Sequence, residues 1–121
     1  MNFNKLLILK TDTIKRAIQA IDEGGIQFCL VVDSQRKVLG TVTDGDIRRG
    51  ILNGYDLENV ILDILNKNFI FVREPNSLEE AQKLMKKHNI KQIPVLDKDG
   101  KLENLHISDL FTKTNTKNNI V

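Results

Sequence analysis

Slid against itself by 64 residues, the sequence repeats its apolar pattern: Leu6, Leu7 and Ile8 fall on Ile70, Phe71 and Val72, and Ile14, Ala17 and Ile21 fall on Leu78, Ala81 and Met85. Farther on, Val31, Val32 and Asp33 meet Val95, Leu96 and Asp97. A one-residue slip then makes the offset 63, which sets Val42 on Leu105 and Asp46-Ile47 on Asp109-Leu110. A fixed period of this kind is the mark of a duplicated supersecondary unit. With 121 residues, the chain has room for two small units and little more.

Both copies read in the same order. A short apolar strand (6–9 and 69–72) leads to a polar stop that can cap a helix, Thr11-Asp12-Thr13 or Asn76-Ser77. The first helix carries Ile14, Ala17, Ile18 and Ile21 at the spacing of one buried stripe, matched by Leu78, Ala81 and Met85. Gly24-Gly25 closes the first helix and His88-Asn89 the second. A strand, a polar turn and a second strand follow (28–32 and 38–42; 93–96 and 102–107), and the second strand runs into another helix, 46–52 or a stub at 109–111. Between the copies, 57–65 reads as a short apolar helix. Ser77-Leu78-Glu79-Glu80 has the pattern of a capping box. The chain is thus expected to be α/β in content, of the α+β kind, with two β-α-β-β-α repeats. A unit of about 60 residues buries too little surface to be comfortable alone, so the repeats are expected to pack through their sheets and form clefts between them.

Composition narrows the function. Hydrophobic residues at 40% and charged ones at 28% fit a folded globular chain, and a net charge of +2 names no polyanionic partner. One cysteine cannot form an internal disulfide, and Cys29 sits in an apolar strand, where a structural thiol is the expected reading. No apolar run approaches the roughly 20 residues of a membrane span and no signal peptide opens the chain, so a cytoplasmic protein without membrane contact is expected. Absence of tryptophan and scattered basic pairs argue against nucleic-acid binding. There is no Ser-His-Asp set, zinc set or Walker loop, so no catalytic residue and no metal site is assigned. Asp97-Lys98-Asp99-Gly100 lacks the distant ligand of a calcium loop and reads as a hairpin turn.

The informative stretch is Gly40-Thr41-Val42-Thr43-Asp44-Gly45-Asp46-Ile47-Arg48-Arg49. Thr43 and Asp46 stand three apart across a strand-to-helix turn and can aim at one spot beside a helix start. A carboxylate there can accept both hydroxyls of a ribose, a threonine hydroxyl and free N–H groups can meet a phosphate, and Arg48 and Arg49 can add positive charge. Asp44 with Asp46 could hold Mg²⁺ beside a phosphate, although solvated acids at a helix start need no ligand. The same spacing is also a near capping box, which serves only to finish a helix. Spacing alone does not choose between these.

The duplicated unit resembles a tandem pair of CBS (cystathionine β-synthase) domains. The resemblance rests on Cys29-Leu30-Val31-Val32-Asp33, on the stretch from Gly40 to Ile47, and on Ile93-Pro94-Val95-Leu96-Asp97, and covers residues 5–112. It implies a regulatory module, commonly a homodimer, that binds AMP, ADP or ATP, or less commonly S-adenosylmethionine, in the cleft between repeats. Thr43 matches the family's phosphate-contacting threonine and Asp46 its ribose-binding aspartate. In the second copy, His106-Ile107-Ser108-Asp109 keeps the aspartate at Asp109 and puts His106 at the threonine position, with Ser108 beside them. The base is expected among the apolar residues near Ile8, Ile26, Phe28 and Cys29. A narrower resemblance is to the N-terminal CBS pair of bacterial sugar-phosphate nucleotidyltransferases. It implies repeats at 1–56 and 57–113, a polar linker at 114–121, and a catalytic domain beyond it. A module retained only for dimerisation, with no bound nucleotide, is the alternative.

Overall fold

The computed structural model describes residues 3–108. The stub at 109–111, Asp109 and the 114–121 linker lie outside the described residues. By its contacts the chain divides into two compact units, Met1–Phe69 and Ile70–Val121.

The first unit opens with a 3-10 turn, Phe3–Leu6, that runs into β1 (Leu7–Leu9). Then come α1 (Ile14–Gly24), β2 (Phe28–Val32), β3 (Val38–Thr43) and α2 (Asp44–Leu52). The sheet order is β1-β2-β3, with β1 parallel to β2 and β2 antiparallel to β3. Central β2, Phe-Cys-Leu-Val-Val, is buried at every residue, which is why it reads as an unbroken apolar run rather than an alternating one. One face of the sheet, through Ile8, Cys29, Val31 and Val42, packs with Ile14, Ala17 and Ile21 of α1 and Ile47 of α2. Thr13 caps α1 by accepting the Arg16 N–H at 3.1 Å, and Gly25, in the left-handed region at φ +72°, ends it. Ile18, expected in the buried stripe, is instead 38% exposed.

The expected helix over 57–65 shrinks to one 3-10 turn, Ile61–Asp63. Its backbone is engaged elsewhere. The carbonyls of Asn59 and Leu57 accept the N–H groups of Ile14 and Lys15, the Ile61 N–H donates to the Asp12 carbonyl, and Asn66 exchanges two hydrogen bonds with Thr41 at the edge of β3. A continuous helix would consume the carbonyls that here satisfy the open N-terminus of α1. Ile61 and Leu65 complete the first core.

The second unit has α3 (Ser77–His88), β4 (Gln92–Leu96) and β5 (Leu102–Ile107). The strand expected at 69–72 reduces to one parallel bridge, Val72 with Val95. Val72, Ala81, Ile93 and Val95 form the core, flanked by Ile70, Leu84, Met85 and Ile90. The expected capping box at Ser77 does not form. Asn76 stands before the helix in the left-handed region and makes no side-chain cap, and Ser77 is the first helical residue. The Ser77 N–H donates to Glu74 Oε1 at 3.1 Å and its hydroxyl lies 2.8 Å from His106 Nε2. The Ser77 hydroxyl, then its N–H, hold the Glu74 carboxyl below its usual pKa.

The hairpins are copies of one another. β2 and β3 pair Phe28 with Thr43, Cys29 with Val42 and Val31 with Gly40, with a bulge between Val31 and Val32. β4 and β5 pair Gln92 with Ile107, Ile93 with His106 and Val95 with Asn104, with the bulge between Val95 and Leu96. Every pair recurs 64 residues later, so the slip expected before Val42 is absent from the hairpin. His106 is the counterpart of Val42, not of Thr43, whose counterpart is Ile107. The turns repeat as well. Asp33 Oδ1 accepts the N–H groups of Gln35 and Lys37 at 2.8 and 3.0 Å, and Asp97 Oδ1 those of Asp99 and Lys101 at the same two distances. The Lys37 and Lys101 N–H groups are the chief cause that holds each carboxyl below its usual pKa.

Candidate functional site

Helix α2 begins where β3 ends, and Thr43 is both the last strand residue and the helix cap. The Thr43 hydroxyl accepts the Asp46 N–H at 3.3 Å, while Asp46 Oδ2 accepts the Thr43 N–H at 2.9 Å and lies 3.1 Å from the Thr43 hydroxyl. A full capping box is therefore present. The other oxygen, Asp46 Oδ1, takes Arg49 Nη2 at 2.8 Å, an ion pair in which the aspartate side chain is 16% exposed and the arginine 63%. One edge of the carboxylate is fixed by the helix cap. The other is held by a solvated guanidinium, and such an exposed contact exchanges at little cost.

The remaining expected residues fall around this junction. Phe28 pairs with Thr43 across the sheet and is buried, as are Ile8, Ile26 and Cys29. Burial pushes the Cys29 thiol up to about 12, which leaves it inert as a nucleophile. Arg48 and Asp44 are exposed on α2. Ser108 follows β5 in the second unit, apart from the Thr43 junction in the chain, and Asp109 is outside the described residues. Among the described residues no group of three His, Cys, Asp or Glu could hold a metal ion.

Beside the junction, Asp44 shares an open cleft of about 320 Å³ with Ile18, Ile21, Asp22, Gly25 and Gln27. The second unit carries its counterpart, about 540 Å³, lined in part by Gln82, Met85, Lys86, Asn89, Lys91 and Ser108. Each of the six residues of the first cleft stands 64 positions before one of these six. Leu78, Ile90, His106 and Ile107 add to the second wall. Sequence reading assigned Asp44 and Ser108 to the site and missed the others. The 64-residue offset that reveals the repeat was the signal that could have paired them.

Residues 1–53 and 61–111 each match the model of the CBS domain. The chain belongs to the CBS domain family, as a tandem pair. It is 31% identical over 117 residues to homoserine O-acetyltransferase of Methanosphaera stadtmanae, covering 93% of this chain and 23% of that protein. It is also 31% identical over 99 residues to inosine-5'-monophosphate dehydrogenase of Aquifex aeolicus, covering 80% of this chain and 20% of that enzyme. The chain thus spans about a quarter of the length of these relatives or less. Among solved structures, a CBS domain protein from Pyrobaculum aerophilum complexed with AMP superposes with a TM-score of 0.73 at 21% identity, over 84% of this chain and 79% of that one. The cytosolic domain of the Mg²⁺ channel MgtE in complex with ATP gives 0.73 at 19%, over 90% of this chain and 44% of that one. At these identities the likeness is one of fold. Among the described residues no helix is long and apolar enough to cross a membrane.

Proposed function

We propose that this CBS pair is a regulatory module that binds an adenine nucleotide, AMP, ADP or ATP, and through it modulates a catalytic domain joined to the same chain in the cytoplasm. The supporting observation is the Thr43–Asp46 junction. It presents a carboxylate whose free edge is held only by the exposed Arg49, in a chain whose fold is shared with proteins solved holding AMP and ATP. A ribose diol would displace Arg49 from Oδ1 while Oδ2 stays on Thr43, so the ligand would enter without breaking the helix cap. A sugar-phosphate nucleotidyltransferase is the attached enzyme that the sequence resemblance implies. The two relatives described above are an acetyltransferase and a dehydrogenase, which lends that choice no support.

Thermal unfolding of the wild type and Asp46→Ala with AMP, ADP, ATP, GMP and S-adenosylmethionine tests the reading. Ligand at 100 times its Kd stabilises by about 2.7 kcal/mol, a shift of several degrees for a chain this small. Asp46→Ala should lose that shift and, without ligand, about 1 kcal/mol from the broken cap. No shift with any adenine compound would favour the dimerisation module instead. The apolar Ile51 and Leu52, exposed on α2, support that second reading. Analytical ultracentrifugation of wild type and Ile51→Ser/Leu52→Ser would then decide it.

A further inference from the structure

At the 64-residue offset the start of α1 matches the start of α3, but only the first is covered. On α1, the Asn59 and Leu57 carbonyls accept the N–H groups of Ile14 and Lys15 at 2.9 and 3.0 Å, the Ile61 N–H donates to the Asp12 carbonyl at 2.7 Å, and Val60 bridges Thr13 in antiparallel fashion. An extended stretch of chain thus lies along the helix start and sets Ile61, fully buried, into the core. On α3 the counterparts of Ile14 and Lys15 are Leu78 and Glu79. Their N–H groups have no hydrogen-bond partner among the described residues, and the Leu78 side chain is exposed. Where the first unit has its cover, the second has an open cleft of about 440 Å³, lined in part by Glu74, Ser77, Leu78, Glu79 and His106. His106 holds the place of Val42, which in the first unit shares a cluster with Ile61.

The two faces carry opposite charge. Lys10, Lys15 and Arg16 around the start of α1 become Glu74, Glu79 and Glu80 around the start of α3, all three exposed. The stretch that covers α1 carries Asp56 and Glu58 on either side of Leu57, so acid is seated against base. An occupant of the α3 face meets carboxylates and is complementary when basic. Glu79 has Lys83 at 3.9 Å, an exposed pair that a second cation can share. The strand edge then limits the site. In the first unit Thr41 of β3 exchanges two hydrogen bonds with Asn66, whereas at the counterpart, Leu105, the N–H donates to Asn104 Oδ1 at 2.8 Å. The open seat is the helix start alone.

We infer that the start of α3 is a docking surface for a basic, extended peptide segment of a partner protein. Its carbonyls accept the Leu78 and Glu79 N–H groups, one aliphatic side chain enters the cleft beside Leu78 and His106, and its lysines or arginines face Glu74, Glu79 and Glu80; main-chain bonds supply affinity and the cleft and charge supply selectivity. The surface uses no residue of the Thr43–Asp46 junction and stands independently of the nucleotide reading.

NMR titration of the ¹⁵N-labelled chain tests it with two synthetic peptides, one of residues 55–62 and one of the same residues carrying Asp56→Lys and Glu58→Lys. The lysine peptide should shift the Leu78 and Glu79 amide resonances saturably and bind about fivefold more tightly than the acidic one, with the gap closing as NaCl rises. Glu79→Lys/Glu80→Lys should reverse the preference, and Leu78→Ser should weaken both peptides alike, with circular dichroism to verify that each variant folds. No saturable shift with either peptide overturns the inference, as does a preference for the lysine peptide that survives Glu79→Lys/Glu80→Lys. Slow deuterium exchange of the Leu78 and Glu79 amides before any peptide is added would mean that this chain covers the face itself, and overturns the partner.

Discussion

Ile14 and Leu78 occupy corresponding places, the first turns of α1 and α3, 64 residues apart. Ile14 is fully buried, whereas Leu78 is 54% exposed. The hairpins agree in register, whereas α3 begins one residue earlier than α1 at the 64-residue offset. What covers Ile14 is the segment after α2. In the first unit that segment lies along the start of α1, bridges Thr13 to Val60 and inserts Ile61 into the core. The same segment pairs with the free edge of β3 through Thr41 and Asn66. A duplicated backbone therefore does not carry duplicated burial, because burial depends on what each copy is given as a cover.

That contrast can be broken most directly at the helix starts. Ile14→Ala should destabilise the chain by about 2–5 kcal/mol, the range for deleting a large aliphatic side chain from a closed core. Leu78→Ala, at an exposed position, should stay within about 0.5 kcal/mol. Urea unfolding of both variants checks this, and equal losses would mean that the two helices are seated alike. A smaller effect is expected at the strand edge. A Cβ on Gly40 would meet the Leu65 side chain and stand 2.6 Å from the Asn66 carbonyl oxygen, which is backbone and cannot swing away. Gly40→Ala should then cost about 1–3 kcal/mol. Its counterpart Asn104 is exposed, and its side chain accepts the Leu105 N–H. Asn104→Ala should be close to neutral in the same measurement.

These positions also mark how far the fold could be read in advance. The hairpin strands, the three long helices and the hairpin turns were legible because each is set by local pattern: an apolar run, a stripe at helical spacing, a polar turn. The 57–65 segment was not legible, since its backbone is claimed by α1 and β3, partners far away in sequence. The hairpin slip was misplaced for a related reason. Matching aspartates, Asp46 with Asp109, pulled the comparison to 63, whereas paired bulges hold the strands at 64. At the site, Thr43 and Asp46 were found by their spacing, and the rival reading as a helix cap is realised in the same atoms. The lysines of the second cleft were hidden because charged residues on a helix end look like solvated surface until a cleft is seen beside them. Arg49 was visible at the i+3 spacing from Asp46, but the ion pair that occupies Oδ1 needed coordinates.

The turns offer the finest test, because there the two repeats share the same backbone and aspartate hydrogen bonds while the left-handed position holds a different residue in each. Arg36 and Gly100 are counterparts, both in the left-handed region at φ +69° and +83°. For a residue with a Cβ this region costs about 1 kcal/mol, a penalty glycine escapes. Arg36 offsets little of it, since its one described side-chain hydrogen bond, Nη2 to Asn4 Oδ1 at 3.2 Å, is exposed. Arg36→Gly relieves the backbone but also gives the unfolded chain more freedom, which takes back part of the gain. The expected net is a stabilisation of a few tenths to about 0.5 kcal/mol, and Gly100→Arg should lose a similar or slightly larger amount. Differential scanning calorimetry of the two variants and of the double exchange reads this as opposite shifts of Tm. If Arg36→Gly lowered Tm instead, the Arg36–Asn4 contact would be holding the 3-10 turn before β1 against the hairpin, and the two turns would differ in role as well as in residue.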